Sequence, residues 1–366
     1  MTAPTPASAD RVTPAEKVTL AIAALLSIGV VALEMSGAGD IAIFMTSAVT
    51  LMLLAWLLGH ATEQLGEHLG GRVAGFLNAT LGNVPELVLV VLLIREAAHE
   101  PALIEVAKAS LIGSVLGNVL FVLGMAFLLG GLRHGTQIFR KSFANLNSTM
   151  LIVALAAIAV PKLTDYQGDE GAHHLRGLSI AIAIVLFVVY LASTFYFLKD
   201  SDEEHAPSAA EDETSHWSVF MSLGVLAAAA LGVAVVSEAL VGSMEHTITE
   251  LGISPSFMGF IIVPIIGNIA EHLVAVQLAW RNQMDFAVTI ALGSSVQVAL
   301  LVVPLAVLFS HLVGNPIDLT FETRQLLAIG LSALIVPALV SDGESTWIEG
   351  LQLLALYSVI AIGFWY

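Results

Sequence analysis

Two short stretches of the chain place a carboxylate in the middle of a long apolar segment. Both have the pattern Gly-Asn-x-x-Glu, with Gly82, Asn83 and Glu86 in the first copy and Gly267, Asn268 and Glu271 in the second. On a helix, residues three apart face the same side, so each asparagine lies beside its glutamate. An isolated charge inside a membrane is costly and usually functional. We therefore expect a cation or a proton to accompany each carboxylate; the alternative is a pair of structural glutamates held neutral by hydrogen bonds.

The apolar segment after each motif repeats a Gly-Ser pair followed by a side-chain amide. The polar residues concerned are Ser114 and Asn118 in the first copy, and Ser295 and Gln297 in the second. Carboxylates, amides and hydroxyls together offer only oxygen ligands, which suit a hard cation such as Ca²⁺. The alternative for Asn118, Ser295 and Gln297 is that they hold neighbouring helices together.

Small and polar residues also form a stripe along the first motif, where Asn78, Gly82 and Glu86 follow one another at helical spacing. Such a stripe lets another helix approach closely. Pro85 and Pro264 favour a break in the helix near each motif. Carbonyl oxygens freed by a break are tolerated at membrane depth beside protein or a water-lined cavity.

His272 directly follows the second glutamate, whereas the first copy has Leu87 at the corresponding position. The unperturbed pKa of a histidine side chain, about 6.5, favours a role for His272 in proton handling. The alternative is a structural histidine whose ring nitrogens are satisfied by neighbours. Two further acids, Glu63 and Glu238, fall near the ends of apolar segments, where exposure at the membrane interface explains them.

The composition identifies the class of protein. The chain has 366 residues, of which 57% are hydrophobic and 12% charged, and its mean hydropathy is +0.89. Soluble domains carry roughly twice that charged fraction, so we expect an integral membrane protein. The absence of cysteine excludes disulfides and thiolate metal sites, and a net charge of −17 excludes a nucleic-acid partner.

Apolar segments long enough to cross a membrane occur about eleven times. They lie near residues 18–34, 41–62, 73–94, 106–130, 146–161, 177–198, 217–242, 256–279, 286–312, 324–340 and 347–365. Eight of the 13 Lys and Arg residues fall on the side of the N-terminus. That bias favours a cytoplasmic N-terminus. We expect residues 1–17 to form a disordered polar tail before the first spanning helix.

The two motifs indicate an internal duplication. They lie in the third and eighth segments, five crossings apart, so the two copies must cross the membrane in opposite directions. This is the inverted-repeat plan of secondary transporters, whose sites lie at the repeat interface near the midplane. We predict an all-α membrane protein with one extra helix over 18–34, a first five-helix repeat over 41–198 and a second over 217–366.

Residues 199–216 separate the predicted repeats and carry seven acids between Asp200 and Glu213. A solvated linker explains such a loop; the alternative is a cation-attracting or regulatory segment. With the N-terminus inside, this acidic loop is cytoplasmic.

These motifs resemble the proton-coupled branch of the cation/calcium exchanger superfamily. The resemblance rests on "GNIAEH" and "GSSVQVAL" in the second half and "GFLNATLGN" in the first, and it extends over nearly the whole chain beyond the tail. It implies that Glu86 and Glu271 are the central Ca²⁺ ligands, surrounded by Asn83, Asn268, Ser295 and Gln297. It also implies that the acidic loop is regulatory.

The predicted function is therefore exchange of Ca²⁺ for protons, with Ca²⁺ as transported substrate and no resident cofactor. Two facing carboxylates in an empty low-dielectric site repel each other and take up protons, whereas bound Ca²⁺ keeps both ionised. The alternatives are a sodium-coupled exchanger and a passive cation channel. An intramembrane metalloenzyme is not supported, because "HATEQLGEH" lacks the His-Glu-x-x-His spacing. The compact loops favour a bacterial plasma membrane, and the oligomeric state is left open.

Overall fold

The computed structural model describes residues 12–69, 77, 80–164, 168–200 and 217–365. Most of these residues are helical, in twelve helices that we number in chain order. They are α1 Pro14–Ser36, α2 Asp40–Leu69, α3 Val84–Glu96, α4 Ala102–His134, α5 Lys141–Leu163, α6 Gly168–Asp200, α7 Val219–Gly242, α8 Met244–Leu251, α9 Pro255–Trp280, α10 Met284–Leu312, α11 Thr323–Val340 and α12 Trp347–Trp365.

Ten of these helices are long and apolar enough to cross a membrane. They correspond to ten of the eleven predicted segments, and the predicted all-α membrane fold is confirmed. The remaining segment, predicted over 73–94, is described mainly from residue 80 onward, where α3 provides its second part. Asn78 and the acidic residues 201–216 lie outside the described residues.

The first helix begins at Pro14, four residues before the predicted start. The Thr13 hydroxyl accepts a hydrogen bond from the Glu16 backbone N–H, and the Glu16 carboxylate accepts one from the Thr13 backbone N–H. This capping box satisfies amides that the first turn would otherwise leave unpaired. The helix ends where Gly37 adopts a left-handed conformation with φ 68°, so a polar capping residue defines its start and a glycine defines its end.

The two motif helices differ in a way that corrects one expectation. In the first copy the chain turns at Gly82 and Asn83, and α3 begins at Val84 with Pro85 in its first turn. In the second copy no such turn occurs, because α9 runs through Gly267 and Asn268. The expected break at Pro264 is instead a π-helical turn over Met258–Ile262, after which the regular helix resumes.

Two further π-helical turns lie at corresponding places in the two repeats. One covers Gly117–Val122 in α4, and the other covers Val298–Val302 in α10. Each follows the Gly-Ser pair of its helix by three to four residues. Single π-helical turns within α-helices are frequent at functional sites.

Glycine allows the close crossing of α4 and α9 in the centre of the molecule. A Cβ atom at Gly113 would overlap the backbone of Phe260, and one at Gly259 would overlap the carbonyl of Val106. Most of α4 is buried, whereas α1 packs on α2 and α7 with most of its surface exposed. The core is therefore centred on α4, at the level where the motif helices meet it.

Two short elements were not predicted. Gln137–Ile138 and Glu344–Ser345 form a two-stranded antiparallel sheet between the α4–α5 and α11–α12 loops. The helix α8 occupies the connection between α7 and α9. Both lie in connections too short and polar for a hydropathy pattern to reveal them.

Candidate cation site

The two motif glutamates lie together where α3 meets α9. Glu86 is only 3% exposed, and a Cβ atom at Gly267 would sit 3.9 Å from the Glu86 Cβ atom. The absence of a side chain at Gly267 thus lets α9 approach the glutamate of α3. The Glu271 carboxylate is near enough to act on Glu86 electrostatically, so the motifs of the two repeats share one site.

Three carboxylate oxygens of this site are buried and available to a cation or proton. Both carboxylate oxygens of Glu86 and the Oε2 atom of Glu271 are buried and form no hydrogen bond among the described residues. The side chains of Ser114 and Asn268 lie beside Glu86, and the Ser294 side chain lies beside Glu271. A buried carboxylate oxygen without a hydrogen bond is unfavourable unless a cation or proton satisfies it, so this set of oxygen ligands fits a hard cation.

The two motif asparagines bind residues of the opposite repeat. Asn83 donates a hydrogen bond to Gln297 Oε1 at 2.8 Å, and Asn268 donates to Ser114 Oγ at 3.2 Å. These bonds link the motif helices to the Gly-Ser segments of α10 and α4. Four predicted site residues thus meet around the glutamates.

Ser295 and Ser294 have different positions relative to the glutamates. The Ser295 hydroxyl donates to the Ala291 carbonyl at 2.8 Å and lies 3.3 Å from the Val115 carbonyl. It is Ser294 that approaches Glu271. Aligning Gly-Ser at 113–114 with Gly-Ser at 293–294 would have pointed to Ser294. A ligand role for Ser295 stays a prediction.

His272 is buried beside the site and contacts the π-helical turn of α4. Its Nε2 atom lies 3.1 Å from Asn118 Oδ1, and its ring meets the edge of Phe121 with centroids 6.3 Å apart. The Nδ1 atom of His272 and the amide nitrogen of Asn118 have no hydrogen-bond partner among the described residues. The contact brings two predicted residues together, and the role of His272 in proton handling stays a prediction.

The other predicted acids lie apart from this site. The side chains of Glu63 and Glu238 are each 61% exposed, and Glu238 pairs with Arg95 at 2.8 Å. No cluster of three or more His, Cys, Asp or Glu side chains suited to a metal exists within the part of the chain that the structure describes. The candidate site is thus a pair of carboxylates supplemented by neutral oxygen ligands.

Comparison with known proteins places this architecture in a family. The chain matches the sodium/calcium exchanger protein family over residues 40–199 and 221–366. It is 38% identical to the Ca(2+)/H(+) antiporter of Synechocystis, covering 90% of this chain and 92% of that protein. It is also 38% identical to the Ca(2+)/H(+) antiporter ChaA of Bacillus subtilis, covering 88% and 91%.

The fold has a counterpart among solved structures. The structure of native YfkE superposes with a TM-score of 0.80 at 34% identity, covering 95% of this chain and 99% of that one. The two matched family regions coincide with the two halves that carry the repeated motif. This chain therefore belongs to the sodium/calcium exchanger protein family, a family of membrane transporters and not of enzymes.

Proposed function

We propose that this protein exchanges Ca²⁺ for protons at a single site built on Glu86 and Glu271. The observation that carries the proposal is the meeting of two glutamates, one from each repeat, of which Glu86 is buried and Glu271 is half-buried. Both carboxylate oxygens of Glu86 and the Oε2 atom of Glu271 are buried without a hydrogen bond among the described residues. Two carboxylates neutralise one divalent cation. The amide and hydroxyl oxygens around them complete a set of hard ligands.

Charge balance explains how the two ions are coupled. With Ca²⁺ bound, both carboxylates are ionised and paired with the metal. Without it, two like charges in a buried site are unfavourable, and protonation neutralises them. Ca²⁺ and protons therefore compete for the same oxygens, and the carrier reorients either with the cation or with protons.

The inverted repeats supply a route to alternating access. Each repeat contributes one motif helix and one Gly-Ser helix to the site, so an exchange of conformations between the repeats would open it to opposite sides in turn. The helix is interrupted at the first motif and continuous through the second. This difference supports the proposal, because two repeats that exchange conformations must differ from each other in any one state.

Protons, not sodium, are the proposed counter-ion. The relatives with 38% identity that cover most of the chain are named for Ca²⁺ and H⁺. We further propose a bacterial plasma membrane with the N-terminus and the acidic loop in the cytoplasm, as the distribution of Lys and Arg favours. Asn83, Asn268, Gln297, Ser295 and the backbone around them form the remaining ligand set.

The test is Ca²⁺ flux in proteoliposomes under an imposed proton gradient, and then under a sodium gradient at clamped pH. We expect uptake driven by the proton gradient alone. Flux driven by sodium at constant pH would replace protons by sodium as the counter-ion. Ca²⁺ movement independent of both gradients would indicate a passive channel.

A further inference from the structure

Two loops that lie outside the site hold the motif helices at equivalent points. Asn315, in the loop between α10 and α11, donates a hydrogen bond to the Ile94 carbonyl at 2.8 Å. Gln137, in the loop between α4 and α5, donates to the Ala279 carbonyl at 3.2 Å. Ile94 and Ala279 each lie eight residues after the glutamate of their motif helix. The two contacts are therefore related by the internal repeat.

The same loops also hold the helix that carries the Gly-Ser pair. Near Asn315, Asp318 accepts a hydrogen bond from Lys108 of α4 at 2.6 Å, and the Thr320 carbonyl accepts another from Lys108 at 3.1 Å. Near Gln137, the Arg140 side chain and backbone amide donate to Asp285 of α10 at 2.7 and 2.8 Å.

We call the segments Asn315–Thr320 and Gln137–Arg140 the Asn315 clamp and the Gln137 clamp. Each clamp comes from one repeat and joins the two ligand-bearing helices of the other repeat. The charge signs are reversed between them, since the helix supplies the lysine in one ion pair and the aspartate in the other.

The position of these contacts on the helices explains what they can control. The last carbonyls of a helix have no partner within the helix, and the clamp amides occupy carbonyls in the final turns of α3 and α9. Lys108 lies six residues before Ser114, and Asp285 lies nine residues before Ser294. Fixing both helices near these points fixes the distance between each glutamate and the serine that faces it.

We propose that Asn315 and Gln137 are positioning residues for cation binding, which set the spacing of the ligands without touching the cation. This inference rests on the proposed site at Glu86 and Glu271. Discrimination by a Ca²⁺ site depends on cavity size and ligand rigidity, and a supporting shell that is too loose lowers affinity. Each clamp thus acts on the affinity of a site about two helical turns away.

The experiment compares Asn315→Leu and Gln137→Met with the same substitutions at exposed positions, Asn145→Leu and Gln352→Met. Each purified full-length protein in detergent is titrated with Ca²⁺ by calorimetry at alkaline pH, and its thermal unfolding is recorded without Ca²⁺. Asn315→Leu removes one hydrogen bond to the Ile94 carbonyl, and Gln137→Met removes two, to the Ala279 carbonyl and to Asn282 Oδ1. A loss of positioning equivalent to about one hydrogen bond raises the Kd for Ca²⁺ by about three- to tenfold. We expect that rise in both clamp variants and no change in the two controls.

A lower melting temperature with an unchanged Kd would overturn the proposal, because the clamps would then serve stability alone. Where Asn315→Leu does not yield folded protein, Asp318→Asn is titrated in its place; it weakens the same clamp through its ion pair, and an unchanged Kd again overturns the proposal. Glu86→Gln is measured alongside. If it binds Ca²⁺ normally, the site itself is wrong; if it loses binding while the clamp variants match their controls, only the clamps are wrong.

Discussion

The substitution Glu86→Gln tests the central carboxylate pair most directly. Glutamine keeps the size of the side chain and one carbonyl oxygen, but it carries no charge and releases no proton. Glu86 is nearly fully buried, and neither of its oxygens has a hydrogen-bond partner among the described residues. The substitution therefore removes a negative charge whose interaction with a bound cation is only weakly screened by water.

The expected loss follows from Coulomb's law. Two unit charges 4 Å apart interact by about 4 kcal/mol at an effective dielectric constant near 20. Ca²⁺ carries two charges and approaches its ligands more closely, while the remaining amide oxygen recovers part of the loss. A net cost of about 4 kcal/mol raises the Kd for Ca²⁺ by about a thousandfold.

The assay is Ca²⁺ binding by calorimetry together with proton-driven Ca²⁺ flux in proteoliposomes. Glu34→Gln is the matched control, because Glu34 is an exposed acid on a spanning helix, α1. We expect Glu86→Gln and Glu271→Gln to insert and fold but to show no proton-driven exchange, and Glu34→Gln to behave as the natural protein. Robust exchange in either site variant would refute the paired-carboxylate site.

Three further predictions concern residues around the site. Neutralising the seven acids between Asp200 and Glu213 should change the rate or the Ca²⁺ dependence of exchange but keep it coupled; complete loss of flux in inserted protein would contradict this. His272→Ala should shift the pH profile of exchange more than Ca²⁺ affinity at alkaline pH, and an unchanged profile would leave His272 a structural residue. Burial alone would raise the pKa of Asp318, but Lys108 and hydrogen bonds from Lys108 and Thr320 outweigh it and lower the pKa. Asp318 therefore contributes stability above its unfolded pKa of about 3.9, so the difference in melting temperature between the natural protein and Asp318→Asn should disappear as pH falls through the lowered value; a constant difference would show that the charge of Asp318 is irrelevant.

Much of the fold follows from local patterns. A span of about 20 apolar residues has few alternatives to a membrane helix, and ten of the predicted segments appear as such helices. The helix interruption at Gly82 and Asn83 also follows from residue type, since glycine and Pro85 weaken a helix locally. The same reasoning was wrong at Pro264, where the helix does not break. A π-helical turn precedes the proline, and the α-helix continues from Val263.

The sequence by itself determined the class of protein, the duplicated motif and the two glutamates, because hydropathy and residue type are properties of short segments. Only the tertiary structure decided which neutral groups surround them. Asn83 and Gln297 are 214 residues apart in the chain, and no periodicity of either helix specifies that they meet. The choice of Ser294 over Ser295 beside Glu271 depends on the rotation of α10 about its axis, which packing against other helices sets. The clamps were invisible for the same reason: a loop amide and a helix carbonyl become partners only when two distant repeats fold against each other.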